Sequence, residues 1–247
     1  MTLEEMKQHE WIVSWSGGKD STATIILMRE YNIPIKEIIY VRMMYDETLP
    51  ATLPIMTEFV NAALERFKEW GYRVRIVNSI KHAVDLMSRR YFRSRYPLKN
   101  GSLYGITAFS RRRCMLSGIK AKTIALTYDS IAFYMVGYAA DEKERLGRLD
   151  DKKASIMLEL NVTEKEAFDI CERYGLLSPL YSLGIKRDGC WFCPNAGKRE
   201  REVIKEKYPE LYQKILDSIQ MCSFDVRETR FYSGWIEDLD KKEVQHD

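Results

Sequence analysis

The apolar positions along the chain change period several times, and each change predicts an element. Trp11-Ile-Val-Ser-Trp15 is a continuous apolar run of strand length, closed by Gly17-Gly18. From Ser21 to Tyr31 the apolar positions move to helical spacing (Ala23, Ile26, Leu27), and Pro34 stops that helix. Ile35 to Met44 reads as a second strand, Leu53 to Trp70 as a long amphipathic helix closed by Gly71, Tyr72 to Asn78 as a third strand, and Ile80 to Arg90 as a further helix. Ile131 to Tyr138 is another strand. Thr163-x-x-Glu166 is a capping box opening a helix to Tyr174, where Gly175 ends it. Leu176 to Gly197 is turn-rich, and Glu200 to Gln220 forms one or two helices broken near Pro209. Near-continuous apolar strands alternating with helices predict an α/β fold, a parallel twisted sheet with helices on both faces.

Composition narrows the class. A chain of 247 residues, 45% hydrophobic and 30% charged, can bury one large core with a small appended unit. Its longest apolar runs, such as Ile131 to Val136, fall far short of the ~20 residues that cross a bilayer. Met1 to Glu10 is too polar and acidic for a secretion signal, so membrane and secreted classes drop out and a cytoplasmic location is expected. Five cysteines, an odd number, argue against a disulfide framework and for thiols or metal ligands in a reducing compartment. The net charge of +3 hides an asymmetry. Between Asp85 and Asp129 there is no acidic residue and there are ten basic ones, from Arg89 to Lys122, while the other 29 basic residues face 36 acidic ones. An anionic partner is expected at that segment.

The chemistry starts at Ser16-Gly-Gly-Lys-Asp-Ser-Thr22, between the first strand and the first helix. Ligands of open α/β sheets bind where strand carboxyl ends meet helix N-termini. Gly17 and Gly18 let backbone amides approach an anion, and the helix dipole holds phosphate there. Lys19 adds a point charge, Ser16, Ser21 and Thr22 add hydroxyls, and Asp20 can carry Mg²⁺ on the same phosphates. The spacing is neither a Walker A loop nor GxGxxG.

This loop resembles the SGGxDS signature of the PP-loop (N-type ATP pyrophosphatase) superfamily, whose members cleave ATP between its α and β phosphates and adenylate a substrate. Other segments are similar to the PAPS reductase-like branch. These are Tyr45-Asp46-Glu-Thr48, Arg112-Arg113-Cys114-Met115 through Lys120, Gly137 to Arg145, and Pro179-Leu-Tyr leading to Gly189-Cys190-x-x-Cys193-Pro194. Arg113 stands where that branch has tryptophan and Ala139 where an arginine is common. The resemblance implies a HUP/adenine-nucleotide-α-hydrolase-like domain over residues 1–175, with a cysteine-bearing helical unit over 176–247. It implies ATP and Mg²⁺ on Ser16 to Thr22, Asp46 near the nucleotide, and Lys19, Asp20, Arg113, Glu142 and Arg145 as catalytic candidates. Classical PAPS reductases lack the Lys-Asp pair and end in a cysteine-bearing tail; here the pair is intact and Glu243 to Asp247 holds no cysteine. ATP use is therefore expected over sulfonucleotide reduction, which is the alternative enzyme reading. A non-catalytic nucleotide- or nucleic-acid-binding protein is the third.

Cys190-x-x-Cys193 sits in a Gly/Pro-bounded turn that suits two thiolates on one ion, with Cys114 as third and Cys222 as fourth candidate ligand; Cys171 reads as a core thiol. Three or four thiolates can hold Zn²⁺ or a [4Fe–4S] cluster, and spacing does not separate them; the resemblance favours the cluster and a sulfur-transfer step, with a sulfur-donor protein as possible partner. The basic segment, Arg89 to Lys122, interleaves its charges with Tyr91, Phe92, Tyr96, Tyr104 and Phe109 and reads as a long loop. Arginines pairing with phosphate and aromatics stacking on bases would suit tRNA or DNA; the rival is a small-anion pocket gripped by Arg111 to Arg113.

Overall fold

Five apolar segments pair into one parallel sheet: β1 (Trp11–Trp15), β2 (Ile35–Arg42), β3 (Val74–Asn78), β6 (Phe133–Met135) and β7 (Lys153–Ala154), in the order β3-β2-β1-β6-β7. Two short strands, β4 (Phe109–Ser110) and β5 (Arg113–Cys114), pair antiparallel apart from it. The helices are α1 (Leu3–Met6), α2 (Lys19–Glu30), α3 (Pro54–Glu69), α4 (Ala83–Met87), α5 (Met115–Thr127), α6 (Ile156–Glu159), α7 (Glu164–Arg173), α8 (Lys198–Lys207) and α9 (Pro209–Gln220). The computed structural model describes residues 1–90, 101–110 and 113–222, and of Ser110, Arg113, Lys143, Leu146 and Arg148 the backbone alone.

The expected α/β parallel sheet is what forms. From β1 the chain steps through β2 to β3 on one side, then returns to place β6 and β7 on the other. Right-handed crossovers then put α2 and α3 on one face and α5 on the opposite one. Side-chain alternation along β1 follows suit. Trp11, Val13 and Trp15 point to the first face, where the Trp15 ring lies 5.2 Å from that of Phe67 of α3 and its Nε1 donates to Thr22 Oγ1 of α2 at 2.9 Å. Burying an aliphatic such as Val13 or Ile38 there is worth roughly 1.5–3 kcal/mol. Ile12 points the other way into a small separate cluster with Ile39, Ala132 and Tyr134, and Ser14 on that face is exposed. The main cluster runs from Met6 to Cys222, so α8 and α9 share one core with the sheet.

Local signals explain most boundaries. Gly71 at φ 89° and Gly175 at φ 64° adopt left-handed backbone after α3 and α7. Thr163 caps α7 and Glu166 reaches back to Thr163 N–H, the reciprocal capping box. Three expectations need correction. The basic segment is not one long loop, because residues 115–127 form α5, where Leu116, Ile119 and Thr123 bury one narrow face at i, i+3, i+7. The helix expected from Ile80 to Arg90 shrinks to the five residues of α4. The strand expected from Ile131 to Tyr138 contracts to Phe133–Met135, with Ile131 77% exposed. Residues Arg93, Arg95, Lys99, Arg111 and Arg112, and the tail from 223 to 247, lie outside the described residues. Among the described residues no helix is long and apolar enough to cross a membrane.

Candidate functional site

The sheet order reverses between β1 and β6, and at their carboxyl ends lies a crevice of about 270 Å³. Its walls are Ser14, Ser16, Gly18, Asp20 and Ser21 from the β1–α2 junction and Val136, Gly137, Tyr138 and Arg145 from the segment after β6. Such a reversal is where open α/β sheets bind ligands. The loop is shaped by its glycines. Gly17 has φ 82°, and a Cβ there would stand 2.8 Å from Met56 Cε of α3. Gly18 is the N-cap of α2, with no side chain to fill the cap position. The first intrahelical bond runs from Thr22 N–H to Gly18 O at 3.1 Å, so the amides of residues 19–21 precede it and point out of the helix end. This is the geometry that binds phosphate.

Hydroxyls tie the loop together. Ser21 Oγ accepts from Ser16 N–H at 3.2 Å, lies 3.1 Å from Ser16 Oγ, and donates to Gly18 O at 3.1 Å. Ser16 Oγ accepts from Gly18 N–H at 3.3 Å. Thr22 is a correction to the sequence reading: it is fully buried, and its hydroxyl is held between the Trp15 indole N–H and Gly18 O, so it supports the loop from beneath. The Lys19 ammonium donates to Asp20 Oδ1 and to Glu164 Oε2, each at 2.8 Å. Burial opposes its charge, but the bonds and charges of Asp20 and Glu164 outweigh that and hold the ammonium well above the usual lysine range.

Two more elements close on this corner. Gly137 packs so tightly on the start of α2 that a Cβ would lie 2.8 Å from the backbone of Asp20 and Ser21. Helix α7 docks on α2, its buried Cys171 thiol donating to Lys19 O at 3.2 Å. Burial pushes that thiol up to about 12, so it is a core thiol, as expected. Asp141 accepts the first amide of α7, Glu164 N–H, at 3.1 Å. Arg145 pairs with Glu142 at 3.1 Å and lies over the Tyr138 ring, and Glu142 also accepts from Ala139 N–H. Asp46 lies outside the crevice walls; its Oδ1 accepts from Thr48 N–H, Thr48 Oγ1 and Leu49 N–H, and these turn bonds outweigh desolvation to lower its pKa. The backbone of Arg113 lies in β5; its side chain is outside the described residues.

The cysteines form a second locus. Trp191 and Phe192, in the middle of the Cys-x-x-Cys turn, are almost wholly buried. Trp191 N–H donates to Ala51 O at 2.9 Å and its Nε1 to Pro50 O at 3.1 Å, which leaves Cys190 and Cys193 half-buried on either side. Phe109, the β-partner of Cys114, packs its ring 4.8 Å from that of Phe192, tilted by 48°, and so draws Cys114 toward this turn. Burial raises the Cys190 thiol, and Cys193 and Cys114 add to it, so the three thiols share one electrostatic neighbourhood. Arg187 stands next to it and pairs with Glu200 at 3.5 Å. Asp188 is open at the surface, yet the protein mass around its carboxyl pushes its pKa up to about 6 against the pull of Lys120. Cys222 instead donates its thiol to Tyr104 O at 3.3 Å. Among the described residues no three His, Cys, Asp or Glu side chains are arranged to hold a metal ion.

No protein-family model matches the chain. Fifty residues, 20% of the chain, are 38% identical to an uncharacterised protein of Methanocaldococcus jannaschii, of which they span 12%. A solved structure, the U34-tRNA thiolase NcsA from Methanococcus maripaludis with its [4Fe-4S] cluster, aligns over 96% of this chain and 77% of that one, at 15% identity and a TM-score of 0.43.

Proposed function

We propose that the chain is a PP-loop enzyme that binds ATP on the Ser16–Ser21 loop, cleaves it to AMP and pyrophosphate, and adenylates an acceptor for sulfur transfer. The observation that carries this reading is the crevice between β1 and β6, into which Ser16, Gly18, Asp20 and Ser21 open at a glycine-capped helix start. Triphosphate oxygens would take the outward amides of the first turn of α2 and the Lys19 ammonium, donors already fixed before charge develops on the leaving pyrophosphate. Asp20 is the residue that would hold Mg²⁺, which supplies charge neutralisation on the phosphates when bound. Arg145, on the opposite wall, would add a cation to the nucleotide's phosphates.

By donor chemistry Cys114, Cys190 and Cys193 are the residues that would hold a thiolate-bound ion, Zn²⁺ or a [4Fe–4S] cluster; the Cys222 thiol donates instead to Tyr104 O. Such a group would supply a site for the sulfur to be transferred. The acceptor is proposed to be a polyanion such as tRNA, because Lys120 and Lys122 lie exposed on α5, the part of the basic segment next to the cysteine turn. The test is product analysis with ATP, Mg²⁺, bulk tRNA and sulfide as the sulfur source. AMP and pyrophosphate are expected; ADP and phosphate, or sulfite released from a sulfonucleotide with no use of ATP, would replace this reading.

A further inference from the structure

The lysine of the phosphate loop already has an anion. Lys19 sits with its side chain 15% exposed, and its ammonium bridges Asp20, its chain neighbour, and Glu164, which lies 145 residues further along the chain. Glu164 is the first residue of α7. Its backbone amide is held by Asp141 and its helix is held by the Thr163–Glu166 capping box, so neither depends on the Glu164 carboxylate. That carboxylate is half-exposed and free to leave without loosening α7. With Asp20 and Glu164 both on one ammonium, the corner carries an excess of negative charge that an incoming phosphate meets first.

We propose that Glu164 is the resident counter-anion of Lys19 and competes with ligand phosphate for it, so that this residue sets how tightly the loop holds a polyphosphate. This rests on the phosphate-binding reading of the loop and adds to it a determinant of affinity. Phosphate binding exchanges one anion for another on Lys19, and the Glu164 carboxylate moves out to water as phosphate arrives. Removing its charge removes the competitor.

The experiment is calorimetric titration of wild type, Glu164→Gln and Lys19→Ala with inorganic pyrophosphate and with ATP in the presence of Mg²⁺. Glu164→Gln is expected to bind both about threefold to tenfold more tightly, the scale of losing a half-exposed ion pair, while Lys19→Ala binds about a hundredfold more weakly. In the wild-type protein labelled with ¹³C at glutamate carboxyls, the Glu164 resonance is expected to move toward its solvated position on addition of pyrophosphate; this readout needs no variant to fold. If Glu164→Gln binds no more tightly and the resonance stays put while Lys19→Ala still weakens binding, the competition is refuted and the phosphate loop stands. If wild type binds neither pyrophosphate nor ATP, both fall.

Discussion

Lys19→Ala protein is expected to bind ATP on the order of a hundredfold more weakly than wild type, the scale of losing a charge-assisted hydrogen bond, with little change in melting temperature. Two effects act together. The variant loses the one ammonium at the loop, and it leaves Asp20 and Glu164 facing each other with no cation between them. Both carboxylates then repel the triphosphate. Stability should move little, because Glu164 is half-exposed and Asp20 can turn to solvent. Titration calorimetry with ATP checks the affinity and a thermal melt checks the fold. Unchanged affinity would mean that the triphosphate does not rest on this loop.

Gly137→Ala should damage both the fold and the phosphate loop with a single methyl group. The added carbon would stand 2.8 Å from Asp20 C and Ser21 N and 2.9 Å from Asp20 O, all backbone at the start of α2, so no side chain can swing aside. Overpacking of this kind costs about 1–3 kcal/mol, or a fall of roughly 2–10 °C in Tm for a domain of this size. The strain falls on the amides that would meet phosphate, so ATP binding should drop together with stability. Gly118→Ala is the matched control: Gly118 lies within α5 with nothing within 4 Å of the added carbon, and alanine there should be neutral or mildly stabilising. A Gly137→Ala protein with wild-type Tm and affinity would show that the β6 segment does not brace the loop.

The parts legible in the sequence are those whose physics is local. The strand Trp11–Trp15, the loop after it, the start of α2 and the capping box at Thr163 each depend on neighbours a few residues away, and each was read within two or three residues. The burial of Cys171 followed from its place on an amphipathic helix. What could not be read are pairings across the chain. Nothing near Glu164 announces that its carboxylate meets Lys19, and nothing near Gly137 announces that its missing Cβ accommodates Asp20. Helix α5 was obscured for a different reason: the basic residues and Gly118 on its open side outweigh the narrow stripe of Leu116, Ile119 and Thr123. Nothing local to Trp191 and Phe192 announces that their burial is what presents the two flanking cysteines. Strand β7 and helix α6, at two and four residues, are shorter than any period that could reveal them.

The strand order has a consequence for assembly in time. β1, β2 and β3 join through short connections, whereas Trp11 must find Phe133 across most of the intervening chain. Closing so long a stretch is entropically slower than closing neighbours. The half of the sheet that carries the glycine loop should therefore be in place early, and its opposite wall last. Pulse-labelled amide exchange during refolding should find Val13 and Ile39 protected before Tyr134, and a chain interrupted partway would own the loop without the crevice that makes it useful.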